Sequence, residues 1–147
     1  MNMDRIYTIG HNKKSLRQFI DLLRQAQVTK VIDVRLNNTS QLVGFAKKED
    51  LGFILELVGI EYEHLPQLAP TKEILKKFTQ GKNWDEYEGA YLQLLKERNP
   101  IALLEQHSEG NQTVCLLCSE EKPDQCHRRL LAEYMQSYFP NIKVYHL

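Results

Sequence analysis

The feature that most constrains the fold is a regular alternation between strand-like and helix-like segments along the chain. The clearest strand lies at residues 113–118, a nearly continuous apolar run typical of a strand buried on both faces of a sheet. Shorter β-rich segments occur at residues 6–9, 30–35, 60–65 and 143–147. Amphipathic helical patterns separate these segments, over residues 15–26, 48–58 and 125–138, and residues 71–108 are helical with turn signals at residues 81–83 and 99–100.

This order of segments predicts an α/β fold. Parallel strands need crossover connections, which are usually helices, and right-handed crossovers place helices on the faces of the sheet. The length of 147 residues fits one domain. We therefore predict a single α/β domain over residues 1–147. It should be a three-layer sandwich with a mainly parallel sheet of about five strands flanked by helices.

Composition excludes several classes of protein. The chain has 19 Lys and Arg residues and 19 Asp and Glu residues, so its formal charge is zero and generic binding to duplex DNA is not expected. Its apolar runs are far shorter than the roughly 20 residues of a membrane-spanning helix, and the first residues lack the apolar stretch of a signal peptide. Three cysteines are too few for a disulfide framework. These features predict a cytoplasmic protein with reduced thiols and no membrane association.

Polar and ionisable side chains follow the predicted strands at the point where each strand ends. In an open parallel sheet, the carboxyl ends of the strands meet at one edge, and ligands bind there. The sequence therefore predicts one site at this edge. Its candidates are Gly10 and His11 after the first strand, Asp33 and Arg35 on one face of the second, His64 after the third, Cys118 and Glu120 after the fourth, and His146 in the fifth.

The segment before the last helix carries the sharpest local pattern. Pro123 and Asp124 suggest a helix start, with Asp124 as N-cap and with Cys126, His127 and Arg128 in the first turn. Free N–H groups and the helix dipole favour an anion at such a position, and an arginine adds a bidentate donor. The positive end of the helix dipole also lowers the pKa of a cysteine at this position, which favours the thiolate of Cys126. Cys126 is then either an activated nucleophile or a small residue that packs inside an anion site. The plainer alternative is an ordinary helix N-terminus.

A zinc site is not predicted from these cysteines. Cys115, Cys118, Cys126 and His127 superficially supply four ligands. However, Cys115 and Cys118 lie three residues apart in a predicted strand, so their side chains should point to opposite faces of the sheet. Cys115 is therefore assigned to the core, and neither a metal nor another cofactor is expected.

A partial similarity to rhodanese-type sulfurtransferases lies in residues 31–35, which look like the aspartate–arginine strand of that fold. Those enzymes close a cysteine loop with an arginine about five or six residues after the cysteine. In this chain the first arginine after Cys118 is Arg128, and two carboxylates, Glu120 and Glu121, lie beside the thiol. Neighbouring negative charges would repel a bound anion and raise the pKa of the thiol. Sulfur transfer is therefore the less favoured alternative.

The whole chain resembles the family called domain of unknown function family 488. The resemblance rests on residues 7–11, 32–35 and 59–62, and on the final residues 144–146. Its most specific part is residues 116–132, which contain the cysteine–histidine–arginine motif at residues 126–128. It implies a compact α/β domain of this size and no particular reaction, so function rests on the candidate site.

Three hypotheses for function follow. The first is a small enzyme that acts on an anionic substrate, which is a phosphorylated compound, a nucleotide or a nucleic-acid end. The second is a non-catalytic module that binds such an anion, and a third treats the charged residues as a structural network. For an enzyme, the expected catalytic residues are His11, Asp33, Glu120, Cys126 and His127, and the expected substrate-binding residues are Gly10, Arg35, Cys118 and Arg128.

Overall fold

The computed structural model describes residues 4–147 and shows strands alternating with helices over that range. The strands are β1 (Arg5–Gly10), β2 (Lys30–Asp33), β3 (Glu61–His64), β4 (Val114–Cys118) and β5 (Lys143–His146). The α-helices are α1 (Leu16–Gln25), α2 (Lys48–Leu57), α3 (Lys72–Gly81), α4 (Trp84–Arg98), α5 (Pro100–Gln106) and α6 (His127–Tyr138). Two short 3₁₀ segments lie at Gln41–Ala46 and Pro66–Leu68.

The five strands form one sheet in the order β3-β2-β4-β1-β5, and every strand pairing is parallel. The predicted α/β fold is confirmed, and the sheet is entirely parallel within residues 4–147. The register aligns the strand ends, since Asp33 pairs with both His64 and Leu117. Gly10 pairs with Cys118 on the other side of β4. The carboxyl ends of the strands therefore lie along one edge, as the fold requires for a shared site.

Helices cover both faces of the sheet and bury a separate core on each. One core packs α4, α5 and α6 against alternate side chains of the strands, including Ile32 and Leu116. The other packs α1 and α2 against the side chains that point the opposite way, including Val31 and Leu117. This arrangement is the predicted three-layer sandwich. Among the helices of residues 4–147, none is both long and apolar enough to cross a membrane.

The strand order places a topological switch point between β2 and β4. The chain leaves β2 through α2 towards β3 at one side of the sheet, whereas it leaves β4 through α6 towards β5 at the other side. Connections that diverge from neighbouring strands open a crevice above their carboxyl ends, and this crevice is the usual ligand site of open α/β sheets. The residues that follow Asp33 and those that follow Cys118 therefore face the position where a ligand is expected.

Residues 71–108 form three helices, and the breaks fall at the predicted turns, because Lys82 and Asn99 adopt left-handed backbone conformations that end α3 and α4. The predicted start of the last helix, however, is wrong. The last helix begins at His127, and Cys126 rather than Asp124 is its N-cap. The amide of Cys126 donates to the carbonyl of Pro123 at 3.2 Å, so a turn occupies the residues expected to open the helix.

Candidate active site

A cavity of about 230 Å³ lies at the switch point, above the ends of β2 and β4. We call it the edge cavity. Its polar wall comes from Arg35 and Asn37 after β2, and from Glu120 in the loop after β4. Apolar side chains of α3 and α4, including Phe78 and Tyr87, line it as well. Such a mixture of apolar surface and a few polar groups is typical of small-molecule sites.

A buried cluster of two cysteines and one histidine also lines the edge cavity. Cys118 ends β4, Cys126 is the N-cap of α6, and His127 is the first residue of that helix. One candidate metal-ligand atom from each residue lies within 4.8 Å of the others. We call this group the Cys–His cluster. Cys126 and His127 follow Cys118 by eight and nine residues in the chain, and the fold brings them back beside it.

The expectation of three separate reduced thiols is wrong for two of the cysteines. The sulfur atoms of Cys118 and Cys126 are joined, because the loop between β4 and α6 folds back over the strand end. Their Cα atoms are 7.6 Å apart, whereas the Cα atoms of most disulfides are about 4.4–6.8 Å apart. Cys115 is a free, buried thiol in the opposite core, as its spacing from Cys118 predicts.

The orientation of the His127 ring is set by its surroundings. Its Nε2 lies 2.6 Å from the backbone oxygen of Val34, which can only accept, so Nε2 carries a hydrogen. The ring of Tyr91 meets it edge-on at 5.5 Å between centroids. Burial lowers the pKa of His127 to about 4, although the bond to Val34 acts in the opposite direction. At neutral pH the ring is therefore uncharged, with a lone pair on Nδ1.

Asp33 and Arg35 form a buried ion pair beside the cavity. The Arg35 Nε donates to Oδ1 at 2.8 Å, and its Nη2 donates to Oδ2 at 2.7 Å. Tyr62 and Asn38 also donate to this carboxylate, at 2.6 Å and 3.1 Å. Burial acts to raise the pKa of Asp33, but the hydrogen bonds and charge of Arg35 outweigh it and hold the pKa below its usual value. The carboxylate of Asp33 is therefore ionised, and both of its oxygens accept hydrogen bonds from the protein.

One donor of the Arg35 guanidinium is unused. Nη2 also donates to the backbone oxygen of Ala46 at 2.8 Å, whereas Nη1 is buried and has no partner within residues 4–147. Buried polar groups are nearly always paired, so an unpaired donor beside a cavity is a candidate ligand contact.

His11 is buried and does not line the edge cavity. It has an exposed fraction of 5%, and its Nε2 has no hydrogen-bond partner in the part of the chain that the structure describes. Burial, and then the charge of Arg35, lower its pKa to about 4. His11 is therefore neutral at physiological pH, and its surroundings oppose protonation.

This burial predicts a loss of stability in mild acid. The unfolded chain protonates His11 near its ordinary pKa of about 6.5, whereas the folded state holds it neutral down to about 4. The unfolded state therefore binds more protons in this window, and stability falls as the pH falls through it. Between about pH 7 and pH 5, the free energy of unfolding of the wild type should fall by up to about 2 kcal/mol more than that of His11→Gln. Urea unfolding at both pH values measures this, and equal losses would contradict a buried neutral ring.

Arg128 and Gly10 shape the loop after β4 and do not line the edge cavity. Arg128 is fully buried and donates to the Thr8 hydroxyl at 3.1 Å and to the backbone oxygens of Glu120 and Glu121 at 2.9 Å and 3.4 Å. A Cβ atom at Gly10 would overlap the backbone oxygen of Glu120. Only glycine lets β1 approach this loop so closely, so both residues position the wall that carries Glu120.

The predicted site residues thus separate into groups. Cys118, Cys126, His127, Arg35 and Glu120 line the edge cavity. The remaining candidates lie elsewhere, with Asp33 behind Arg35, His11 in its own buried position, and Gly10 and Arg128 beneath the loop. Two further histidines are engaged, since the Nε2 of His64 lies 2.7 Å from the backbone oxygen of Arg35 and the Nδ1 of His146 lies 2.6 Å from the hydroxyl of Thr8.

The apolar side of the edge cavity was not identified from the sequence. Phe78 and Tyr87 follow helical spacing in α3 and α4, which is equally typical of core residues. Their place beside the cavity depends on how these helices pack over the end of β2. Asn37 was also missed, since a lone asparagine after a strand is common in loops.

The fold and this edge define a class, namely three-layer α/β proteins with a cysteine–histidine site at the switch point of a parallel sheet. A protein-family model matches residues 15–135 of the chain, and the description of that model is Domain of unknown function DUF488. The match covers most of the 147 residues, so the chain belongs to this family. The same comparisons found no curated protein and no solved structure that matches.

Proposed function

We propose that this protein is a small enzyme that acts on an anionic substrate held in the edge cavity. The substrate class is a phosphorylated small molecule, a nucleotide or a nucleic-acid end. One observation carries the proposal. A buried arginine with an unpaired donor and a buried cluster of reactive side chains line the same cavity, at the switch point of the sheet.

Arg35 is the proposed anion-binding residue. Its guanidinium is held by two bonds to Asp33, so Nη1 is presented in a fixed direction. A preorganised donor in a low-dielectric site stabilises developing negative charge without reorganising. The N-terminus of α6 adds backbone N–H groups that have no partner within the helix. Arg128 is left out of this role, because its guanidinium already donates to three protein oxygens.

His127 and Glu120 are the proposed proton-transfer residues. The neutral Nδ1 of His127 accepts a proton, while Nε2 stays bound to the carbonyl of Val34. Glu120 is exposed and lines the same cavity, which places its carboxylate between the site and solvent. Cys126, at the dipole end of α6, is the proposed nucleophile when it is reduced, and Cys118 lies directly beside it. We further propose a cytoplasmic location, whose reducing conditions open the bond between Cys118 and Cys126 and free the thiol of Cys126.

Ligand-induced stabilisation tests the anion site. Inorganic phosphate, nucleotides and short single-stranded oligonucleotides are added to the wild type, Arg35→Lys and Arg17→Lys. A ligand at about 100 times its dissociation constant should add about 2.7 kcal/mol to the wild type. Arg35→Lys keeps a positive charge beside Asp33 but loses the planar fork, so most of this stabilisation should disappear. Arg17 is exposed on α1 and provides the matched control.

Turnover separates an enzyme from a binding module. The stabilising ligand, or its phosphoester analogue, is incubated with the wild type and with His127→Gln. Turnover in the wild type that His127→Gln loses, with binding retained, supports the enzyme. Binding without turnover overturns catalysis and leaves a binding module. If no ligand stabilises the wild type, the proposed anion site is wrong.

A further inference from the structure

We propose that the Cys–His cluster is a binding site for one zinc ion, with three protein ligands and a fourth position open to the edge cavity. The ligands are the thiolates of Cys118 and Cys126 and the Nδ1 of His127. The site itself stands on the geometry of these residues. It does not rest on the roles proposed above for these residues, because a ligated Nδ1 of His127 no longer accepts a proton and a ligated thiolate of Cys126 is no longer a free nucleophile. With zinc bound, the proposed proton transfer falls to Glu120 and to the water at the open position.

The three ligand atoms lie close enough together to bind one tetrahedral ion when the cysteines are reduced. Zinc binds thiolate sulfur at about 2.3 Å and imidazole nitrogen at about 2.0–2.1 Å, which places neighbouring ligand atoms about 3.5–3.8 Å apart. The cluster holds one such atom from each of its three residues within 4.8 Å of the others. The Cα separation of 7.6 Å between Cys118 and Cys126 is wide for a disulfide, so the two sulfurs can move apart around an ion once the bond between them is reduced.

The surroundings of His127 match those of a metal ligand. Ligating histidines almost always donate their second ring N–H to a carbonyl or carboxylate, which fixes the tautomer and the direction of the ring. Nε2 of His127 donates to the backbone oxygen of Val34 at 2.6 Å, and the edge-on ring of Tyr91 packs beside it. Nδ1 is thus left with its lone pair on the side of the ring opposite to the Val34 bond.

The ligand types select zinc among common divalent ions. Two thiolates and one imidazole form a soft set, whereas magnesium and calcium require oxygen ligands. Two thiolates also neutralise the charge of a divalent ion, which lowers the cost of burying that ion. All three ligands are buried, and all three line the edge cavity. Three protein ligands and an open position are typical of catalytic zinc, which lowers the pKa of a bound water to about 7.

The bond between the sulfurs of Cys118 and Cys126 competes with zinc binding, because both states use the same two residues. A sulfur in a disulfide has no thiolate charge to offer, so zinc binds only after both cysteines are reduced. The expectation that no metal binds considered four ligands that included Cys115. The structure places Cys115 in the opposite core, and the remaining three residues are sufficient for an open site.

Cobalt titration tests the site directly, because Co²⁺ replaces zinc and reports thiolate ligands in its absorption spectrum. The intact protein is reduced with a phosphine, freed of metal with a chelator and titrated without oxygen. The wild type should show a thiolate-to-cobalt charge-transfer band and tetrahedral d–d bands that saturate at one cobalt per chain. Added Zn²⁺ should abolish both. Cys115→Ala is the matched control and should behave like the wild type, whereas Cys126→Ser and His127→Gln should bind at least about tenfold more weakly.

The wild-type titration decides the proposal even if a variant fails to fold. A reduced wild type with no charge-transfer band overturns the zinc site, and so does loss of the band in Cys115→Ala with circular dichroism unchanged. The anion experiment is independent of this result. Cobalt binding without ligand-induced stabilisation keeps the zinc site and rejects the anionic substrate. The reverse result keeps the substrate and rejects the metal.

Discussion

Asp33→Asn is expected to lower the free energy of unfolding by about 3–5 kcal/mol, the usual cost of removing one partner from a buried ion pair. Five donor bonds converge on this carboxylate, three from Arg35 and one each from Asn38 and Tyr62. An asparagine amide accepts through only one atom and turns its NH₂ group towards some of these donors. The guanidinium of Arg35 would then remain buried without its counter-charge.

Urea unfolding at about pH 7 measures this loss, since the pKa of Asp33 lies below its usual value and the carboxylate is ionised there. The contribution of the pair should persist above the ordinary aspartate pKa of about 4 and disappear as the pH falls through the lower pKa of the folded state. Asp21→Asn on the exposed side of α1 is the control and should change little. A loss below about 1 kcal/mol at Asp33 would mean that the pair contributes little to stability.

The contacts of Asp33 also indicate its role at the site. It does not line the edge cavity, and all its acceptor positions are directed at protein donors. We therefore regard it as a positioning residue that holds Arg35. Asp33→Asn should weaken ligand binding through Arg35. A catalytic proton acceptor would instead lower turnover and leave stability intact.

The fold was predictable because its signals are local and repeated. The apolar run of β4 predicts a strand buried on both faces, and both cores pack against it. Ser15 and Gln18 form a capping box at the start of α1, a motif that is contained within four consecutive residues. Each such signal is contained within a few residues, so no knowledge of distant contacts is needed.

The edge of the sheet that holds the candidate site was predictable from the sequence, but the side chains that line its cavity were not. Any parallel sheet brings residues after Asp33 and Cys118 to one edge, and the register confirms this alignment. Which side chains line one cavity depends on the face that each occupies and on the path of the loops. The segment expected to begin α6 instead turns at Pro123, and this turn carries the sulfur of Cys126 to that of Cys118. That approach has no signature in local sequence.

Arg128→Met should destabilise the protein by about 3 kcal/mol or more. The side chain is fully buried, and its guanidinium joins β1, α6 and the loop after β4 through three hydrogen bonds. Hydrogen bonds from charged donors contribute about 1.5–3 kcal/mol each. Methionine fills most of the volume but leaves the Thr8 hydroxyl and the backbone oxygens of Glu120 and Glu121 without this donor.

Arg128→Lys separates charge from geometry in the same experiment. An ammonium keeps the positive charge but cannot span three acceptors in a planar arrangement, so this variant should recover only part of the loss. Arg17→Met on the exposed face of α1 should be nearly neutral. The unfolding transition of each variant is measured by urea titration. If Arg128→Met unfolds like the wild type but no longer responds to an anion, Arg128 is a ligand-binding residue and its assignment to the loop is wrong. A large loss of stability would show that Arg128 holds the wall of the edge cavity in place, because the loop that it bonds also carries Glu120 and leads from Cys118 to Cys126.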